Sequence, residues 1–397
     1  MGKQKKAQKQ VPGKRLNPAT ANILLILFSI LFALLAAEVM LQIINKPGPG
    51  SSGWKSHGVS KLELNQLGFR GQPIEYSDDD FVVVLLGDSQ VEASQCCAYG
   101  WRPENRLQHH LSAGEKRVKV FSLGSGGYGQ DQQLLVLREY YQKYRADLVV
   151  LWQTPENDPW NNMFPTHWPA DGTPKPTYWL ENGELRGPDM EMGARLSSKI
   201  KLVALWERFV VPVSRDKQFE KYFPPAYTPM REYEGPVEQD WQKRWDNNIG
   251  LMRNENLANE KSHFAIRLSP RSERTQYGLD LTRKLLHEIE RLVVNHAGTF
   301  VMFRVDKPLE HQDSGGRVHV LNGNYYKTSS EQFLSNINYL NQDFKNHTVR
   351  VKIKDWAVGP EDGHINERAT DQAMKDLSRK LEPLVPNQTG RRQNKTH

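Results

Sequence analysis

The chain has 397 residues, with 38% hydrophobic and 25% charged residues and a formal net charge of +7. That length holds two average domains or one large α/β domain with insertions, and the ordinary composition excludes global disorder. Much of the excess positive charge lies in the leader and in Arg391, Arg392 and Lys395, with no basic stripe interleaved with aromatics between them, so no nucleic-acid partner is expected.

Residues 1–20 form a basic leader carrying Lys3, Lys5, Lys6, Lys9, Lys14 and Arg15 and no acidic residue. Residues 21–45 follow as an apolar segment in which Glu38 is the sole charge. At about 1.5 Å per helical residue this run is long enough to cross a bilayer. The positive-inside rule keeps the N-terminus cytoplasmic and puts everything after residue 45 on the periplasmic or extracellular side. A cleaved signal peptide is the competing reading, but its apolar core is normally shorter, and Leu35-Ala36-Ala37 is a poor cleavage site. A single-pass membrane anchor is therefore expected.

Residues 46–80 read as a Pro-, Gly- and Ser-rich linker and approach to the domain, and they contain Asn65-Gln66-Leu67-Gly68-Phe69-Arg70-Gly71. Phe81 to Leu86 is an unbroken apolar run, the signature of a parallel strand buried on both faces, and it stops at Gly87-Asp88-Ser89. A helix is expected over about 100–112 and a strand over 118–123. The run Gly124-Ser125-Gly126-Gly127-Tyr128-Gly129 follows, and Asp131 is expected to cap the next helix. A third strand, 147–152, leads to Gln153-Thr154-Pro155-Glu156-Asn157-Asp158. Strand and helix alternation at this pitch predicts a doubly wound α/β sheet, with Ser89, Gly127 and Asn157 on loops at one carboxyl edge.

A serine in such a turn is a candidate nucleophile, although Asp88 and Ser89 equally suit a helix cap. A base for it is found far along the chain, where Glu361-Asp362-Gly363-His364 precedes a helix expected over 367–381. Cys96 and Cys97 are adjacent, so a bridge between them is not expected and they staple nothing. The 12 histidines are scattered, with no metal-ligand spacing; no metal and no cofactor are expected.

These blocks resemble those of the SGNH or GDSL hydrolase superfamily. Ser89 matches the block I serine, Gly127 the block II glycine, Asn157 the block III asparagine and His364 the block V histidine, in the family's order. The Asn65–Gly71 and Tyr128–Gln132 runs are similar to those of membrane-anchored bacterial members. Block II has Ser122 where Asn is usual, and block III has Pro155-Glu156 before Asn157-Asp158. The resemblance implies a flavodoxin-like three-layer α/β/α fold with a parallel sheet over residues 81–385. It implies a Ser89 nucleophile, His364 as base, and an oxyanion hole from the amides of Ser89 and Gly127 and the side chain of Asn157. Either Glu361 or Asp362 would orient His364, and the Asp-Gly-His-x-Asn run, resembling the alginate O-acetyltransferase branch, favours Asp362.

The implied substrate is a small ester or an acylated carbohydrate, such as acetyl groups on a cell-surface polysaccharide, with water or a sugar hydroxyl as acceptor. A non-catalytic glycan-binding or assembly subunit is the alternative; the oligomeric state is not indicated. Residues 159–277 read as a Trp- and Pro-rich insertion holding Trp160, Trp168, Trp179, Trp206, Trp241 and Trp245. Packing of that insertion explains them better than a glycan platform. The main fold is expected to resume with a helix over 279–294 and a strand over 299–305, and residues 386–397 to form a disordered tail.

Overall fold

The computed structural model describes residues 17–44, 63–113, 116–166, 174–190, 192, 200–210, 222–249, 252, 255–306, 316–344, 348–353, 357–359 and 362–386. Residues 1–16 of the leader, residues 46–62 of the linker, Trp168, Glu361 and residues 387–397 of the tail lie outside them. Five strands build the central sheet: β1 (Phe81–Gly87), β2 (Val118–Gly124), β3 (Leu148–Trp152), β6 (Thr299–Asp306) and β9 (Thr348–Lys352). All neighbours pair in parallel, in the order β2–β1–β3–β6–β9. This is the doubly wound order in which the winding reverses between the first strand and the third, opening a crevice at their carboxyl ends.

Strand alternation sorts the apolar residues into two layers. Val82, Val84 and Leu86 join Val149 and Leu151 beneath α4 (Gln130–Tyr141) and the long α8 (Glu273–Asn295). Val83 and Leu85 join Val120 and Val150 against α3 (Pro103–Leu111) and α10 (Glu367–Leu381). The three-layer α/β/α architecture expected from the alternating elements is thus realised, and α10 has the bounds read from the sequence.

The β2 edge is closed by side chains rather than by another strand. Val120 N donates to Gln108 Oε1 at 3.0 Å and Ser122 N to Glu104 Oε2 at 2.9 Å, while Ser122 O accepts from Asn65 Nδ2 at 3.0 Å. Gln72 Nε2 donates to Val120 O. Polar residues of α3 and of the 63–74 segment therefore do the work of a sixth strand.

Several elements differ from the sequence expectations. Helix α4 starts at Gln130, with Gly129 at its cap. Asp131 is fully buried in its first turn, where its Oδ2 pairs with the equally buried Lys175 Nζ and its Oδ1 accepts Gln132 N, so it is an interior ion and not a cap. Cys96 and Cys97 are joined in a vicinal disulfide, with Cα atoms 3.8 Å apart, where the sequence reading expected the geometry of adjacent cysteines to disfavour a bridge. Helix α8 begins six residues before the expected start, because Ser272 Oγ accepts Thr275 N at 2.9 Å and caps it there.

The insertion contains a hairpin of β4 (Thr177–Glu181) and β5 (Glu184–Asp189), α5 (Asp158–Met163), α6 (Lys201–Val210) and α7 (Asp240–Asp246). A second hairpin, β7 (Arg317–Leu321) with β8 (Asn324–Thr328), and α9 (Ser330–Asn341) separate β6 from β9. Trp160 and Trp241 are buried, the latter stacked on His319 at 3.9 Å, as the packing reading expects; Trp179 and Trp245 are half-buried, and Trp206 departs from that reading by being exposed. At the N-terminus α1 (Pro18–Ile44) starts three residues earlier than expected, and it is the one helix among the described residues long and apolar enough to cross a membrane.

Glu104 is 1% exposed, and burial pushes its carboxyl up to about 7 from an ordinary 4.5, outweighing the Arg102 guanidinium 2.9 Å away. Between those values the folded chain holds a proton that the unfolded chain releases, so this group's contribution to stability falls as pH rises through that window. The melting temperature of Glu104→Gln should lack this part of the decline between pH 5 and 8. Equal slopes for parent and variant would refute the assignment.

Candidate active site

The turn that ends β1 is built around Asp88. Its Oδ1 accepts Gln90 N at 2.9 Å, capping the short α2 (Ser89–Glu92), and its Oδ2 accepts Asn157 Nδ2 at 2.9 Å. Asp88 is 1% exposed, so one buried carboxylate joins the loop after β1 to the loop after β3 across the crevice. The cap reading of the Gly-Asp-Ser triplet therefore holds for Asp88. It leaves Ser89 as the first residue of α2, half-buried among buried neighbours.

The glycine-rich loop after β2 closes the third side. A Cβ at Gly124 would stand 2.5 Å from the Val91 Cβ and 3.0 Å from the Asp88 carbonyl oxygen, so only glycine lets α2 cross this strand end. Gly126 N donates to Glu92 Oε2 at 2.7 Å, and a side chain at Gly126 would come 4.0 Å from the Ser89 Cβ. Burial pushes the Glu92 carboxyl above its ordinary range. Gly127 follows at φ +69°, a left-handed turn that glycine adopts without penalty, and Tyr128 behind it is buried edge-on against Phe69.

His364 reaches this edge on a short strand just before the helix expected at 367, a strand that was not read from the sequence. It lies in β11 (Asp362–Ile365), paired antiparallel with β10 (Ala357–Gly359). Asp362 Oδ1 accepts both His364 N at 2.9 Å and, across 2.5 Å, faces His364 Nδ1. Gln90, next to Ser89 in the chain, holds the peptides on both sides of the histidine. Its Nε2 donates to Gly363 O at 3.2 Å and its Oε1 accepts Ile365 N at 3.4 Å.

The structure thus brings Ser89, Asn157 and the Gly126–Gly127 turn together, and Gln90 fastens the Asp362–His364 strand to the same α2. The Ser89 hydroxyl has no hydrogen-bond partner among the described residues. Among the described residues no cluster of three metal-ligating side chains occurs.

Four supporting residues were not read from the sequence: Asp88 as the bridge to Asn157, Gln90, Glu92 and Arg70. Arg70 Nη1 donates to the carbonyls of Glu92 and Ala93, at 3.2 and 2.6 Å, and Nη2 to that of Cys97 at 3.1 Å. It clamps the loop that leaves α2, and its signal was the Asn65–Gly71 run. Gln132, Gln153 and Asn161 also sit on the loops and first helical turns around this edge. Their buried amides have no partner among the described residues, and buried groups of this kind pair with water or a polar ligand. A cleft of about 600 Å³ flanks the His364 side, lined by Cys96, Trp101, Val358, Asn366, Glu367 and Arg368.

No family model and no curated protein matches this sequence. Among solved structures, the chain is similar to the psychrotrophic esterase EstA from Pseudoalteromonas sp., at 9% identity and a TM-score of 0.35, covering 78% of this chain and 100% of that one. It is similar also to Est24, a carbohydrate acetylesterase from Sinorhizobium meliloti, at 10% identity and a TM-score of 0.32, covering 76% and 99%. The fold assignment stands on the strand order and parallel registers themselves.

Replacing the Arg70 clamp tests whether this support matters. Arg70→Met removes the guanidinium from three buried carbonyls, of which that of Ala93 keeps Cys97 N at 3.3 Å, and a buried group left unsatisfied costs about 1–3 kcal/mol. A fall in stability of roughly 2–4 kcal/mol is expected in denaturant unfolding. An unchanged midpoint would rule out the clamp as a stabilising element.

Proposed function

We propose that this protein is a membrane-anchored SGNH-type serine esterase that cleaves or transfers O-acyl groups, with acetyl groups of a surface polysaccharide as the favoured substrate. The observation that carries the reading is the Gln90 tie, which holds the peptides flanking His364 against the residue next to Ser89. A nucleophile and a base from opposite ends of the chain are thereby fixed to one helix. Asp362, rather than Glu361, orients the imidazole, since its carboxylate meets both His364 N and Nδ1.

In this mechanism His364 Nε2 takes the Ser89 proton as Oγ attacks the ester carbonyl, and Asp362 holds Nδ1–H and balances the imidazolium. The negative charge that develops on the carbonyl oxygen is met by the amides of Ser89 and Gly127 and by the second N–H of Asn157, whose first is given to Asp88. Collapse expels the alcohol, which takes the proton from Nε2, and leaves an acyl group on Ser89. Water or a sugar hydroxyl, deprotonated by the same nitrogen, then releases it. The exposed Trp101 in the neighbouring cleft, a flat aromatic face of the kind that stacks on sugar rings, favours a sugar ester over a lipid one.

Release of p-nitrophenol from p-nitrophenyl acetate is the direct assay. Ser89→Ala should abolish it with the fold intact. Asn157→Ala should lower kcat by about 100- to 1000-fold. Asp362→Ala should lose far more activity than Glu361→Gln, which leaves the rate within a few fold; the reverse ranking would transfer the orienting role to Glu361. Equal rates in parent and Ser89→Ala would sink the esterase reading and leave a non-catalytic glycan-binding subunit.

A further inference from the structure

Glu38 is the single charge in α1, six residues before its end at Ile44, or about 9 Å along the helix axis. A carboxylate at that depth in a bilayer-crossing helix is costly unless it is paired. Here it has partners. Its Oε1 accepts Lys201 N at 2.8 Å, its Oε2 accepts Leu202 N at 2.8 Å, and Gln42 Nε2 donates to Oε1 at 2.6 Å. The two backbone donors are amides of the first turn of α6, so the carboxylate caps that helix and meets the positive end of its dipole. From Pro18 to Ile43 only Ala37, Glu38 and Leu41 are partly covered, and the other residues are exposed.

Helix α6 itself is amphipathic in sequence, and its first turns leave apolar side chains uncovered. Val203 is 40% exposed, Leu205 41% and Trp206 63%, and Ile200, just before the helix, is 53% exposed. Elsewhere the insertion buries Trp160 and Trp241 almost completely, so Trp206 is not simply another packing residue. A short amphipathic helix with a tryptophan on its apolar side, pinned to the last third of a membrane-crossing helix, has the composition and position of an interfacial element.

We propose that α6 lies in the headgroup region of the bilayer, with Val203, Leu205 and Trp206 in contact with lipid and Glu38 as its docking post. The occupant of this apolar face is the membrane into which α1 continues. This rests on the membrane half of the function proposed above and not on its chemistry. The consequence is a second, shallow attachment that fixes how far the insertion, and the domain carrying it, can swing from the membrane surface.

The test uses the full chain in liposomes of phosphatidylcholine and phosphatidylglycerol, with the environment-sensitive NBD dye attached at Trp206→Cys or at Phe28→Cys. The native cysteines are disulfide-bonded, and both labelled positions are exposed, so labelling leaves the core alone. Dye at position 206 should emit with a blue shift and be quenched at least twofold more by lipids carrying a doxyl group at carbon 5 than at carbon 12. Dye at position 28 should show the opposite order. Glu38→Ala should halve the quenching at 206 and leave that at 28 unchanged.

Absence of quenching at 28 would overturn the membrane anchor itself. Quenching at 28 with a water-like, unquenched dye at 206 would overturn the interfacial helix alone. A blue-shifted but unquenched dye at 206 would overturn it in favour of a protein-covered face, and quenching at 206 that survives Glu38→Ala would remove Glu38 from the docking role.

Discussion

The Asp88 carboxylate is the joint on which the candidate site is assembled. Its two oxygens are committed to Gln90 N and Asn157 Nδ2, one on each side of the point where the strand order reverses. A buried carboxylate is stable only with such charge-assisted partners, so the two loops cannot separate without leaving an unpaired ion behind. Everything else at the edge is hung from this joint. The capped α2 presents Ser89, offers Gln90 to the histidine strand and turns Glu92 toward the glycine loop.

Much of this arrangement was legible in the sequence because it is local. Buried parallel strands are continuous apolar runs, which is why β1, β2 and β3 could be bounded to within a residue. The triplet after β1 and the glycines after β2 announce sharp exits. His364 was found by its acid neighbours and by the helix that follows it. Its short strand escaped notice because Asp362-Gly363-His364-Ile365 has no strand alternation; pairing with Ala357–Gly359 creates the element.

Other features were hidden because they depend on contacts distant in sequence. Asp131 is a good cap by type, yet Lys175, 44 residues on, makes it an interior ion. β9, Thr-Val-Arg-Val-Lys, is short and carries two charges in five residues, and only its register on β6 identifies it as the last strand. The roles of Gln90 and Arg70 are likewise invisible locally, since Gln90 bonds groups 273 and 275 residues away. Long-range polar clamps of this kind leave no periodic trace in the chain.

The side chains that seal β2 have a consequence for assembly. With the Val120 and Ser122 peptide groups already taken by Gln108, Glu104, Asn65 and Gln72, that edge offers nothing to an incoming strand. The opposite border, β9, carries Arg350 and Lys352 with exposed side chains, a charged fringe that discourages pairing with a copy of itself. Extension of the central sheet from one molecule into the next is thereby obstructed at β2 and disfavoured at β9, which leaves helices, loops and the separate hairpins as the surfaces open to self-association.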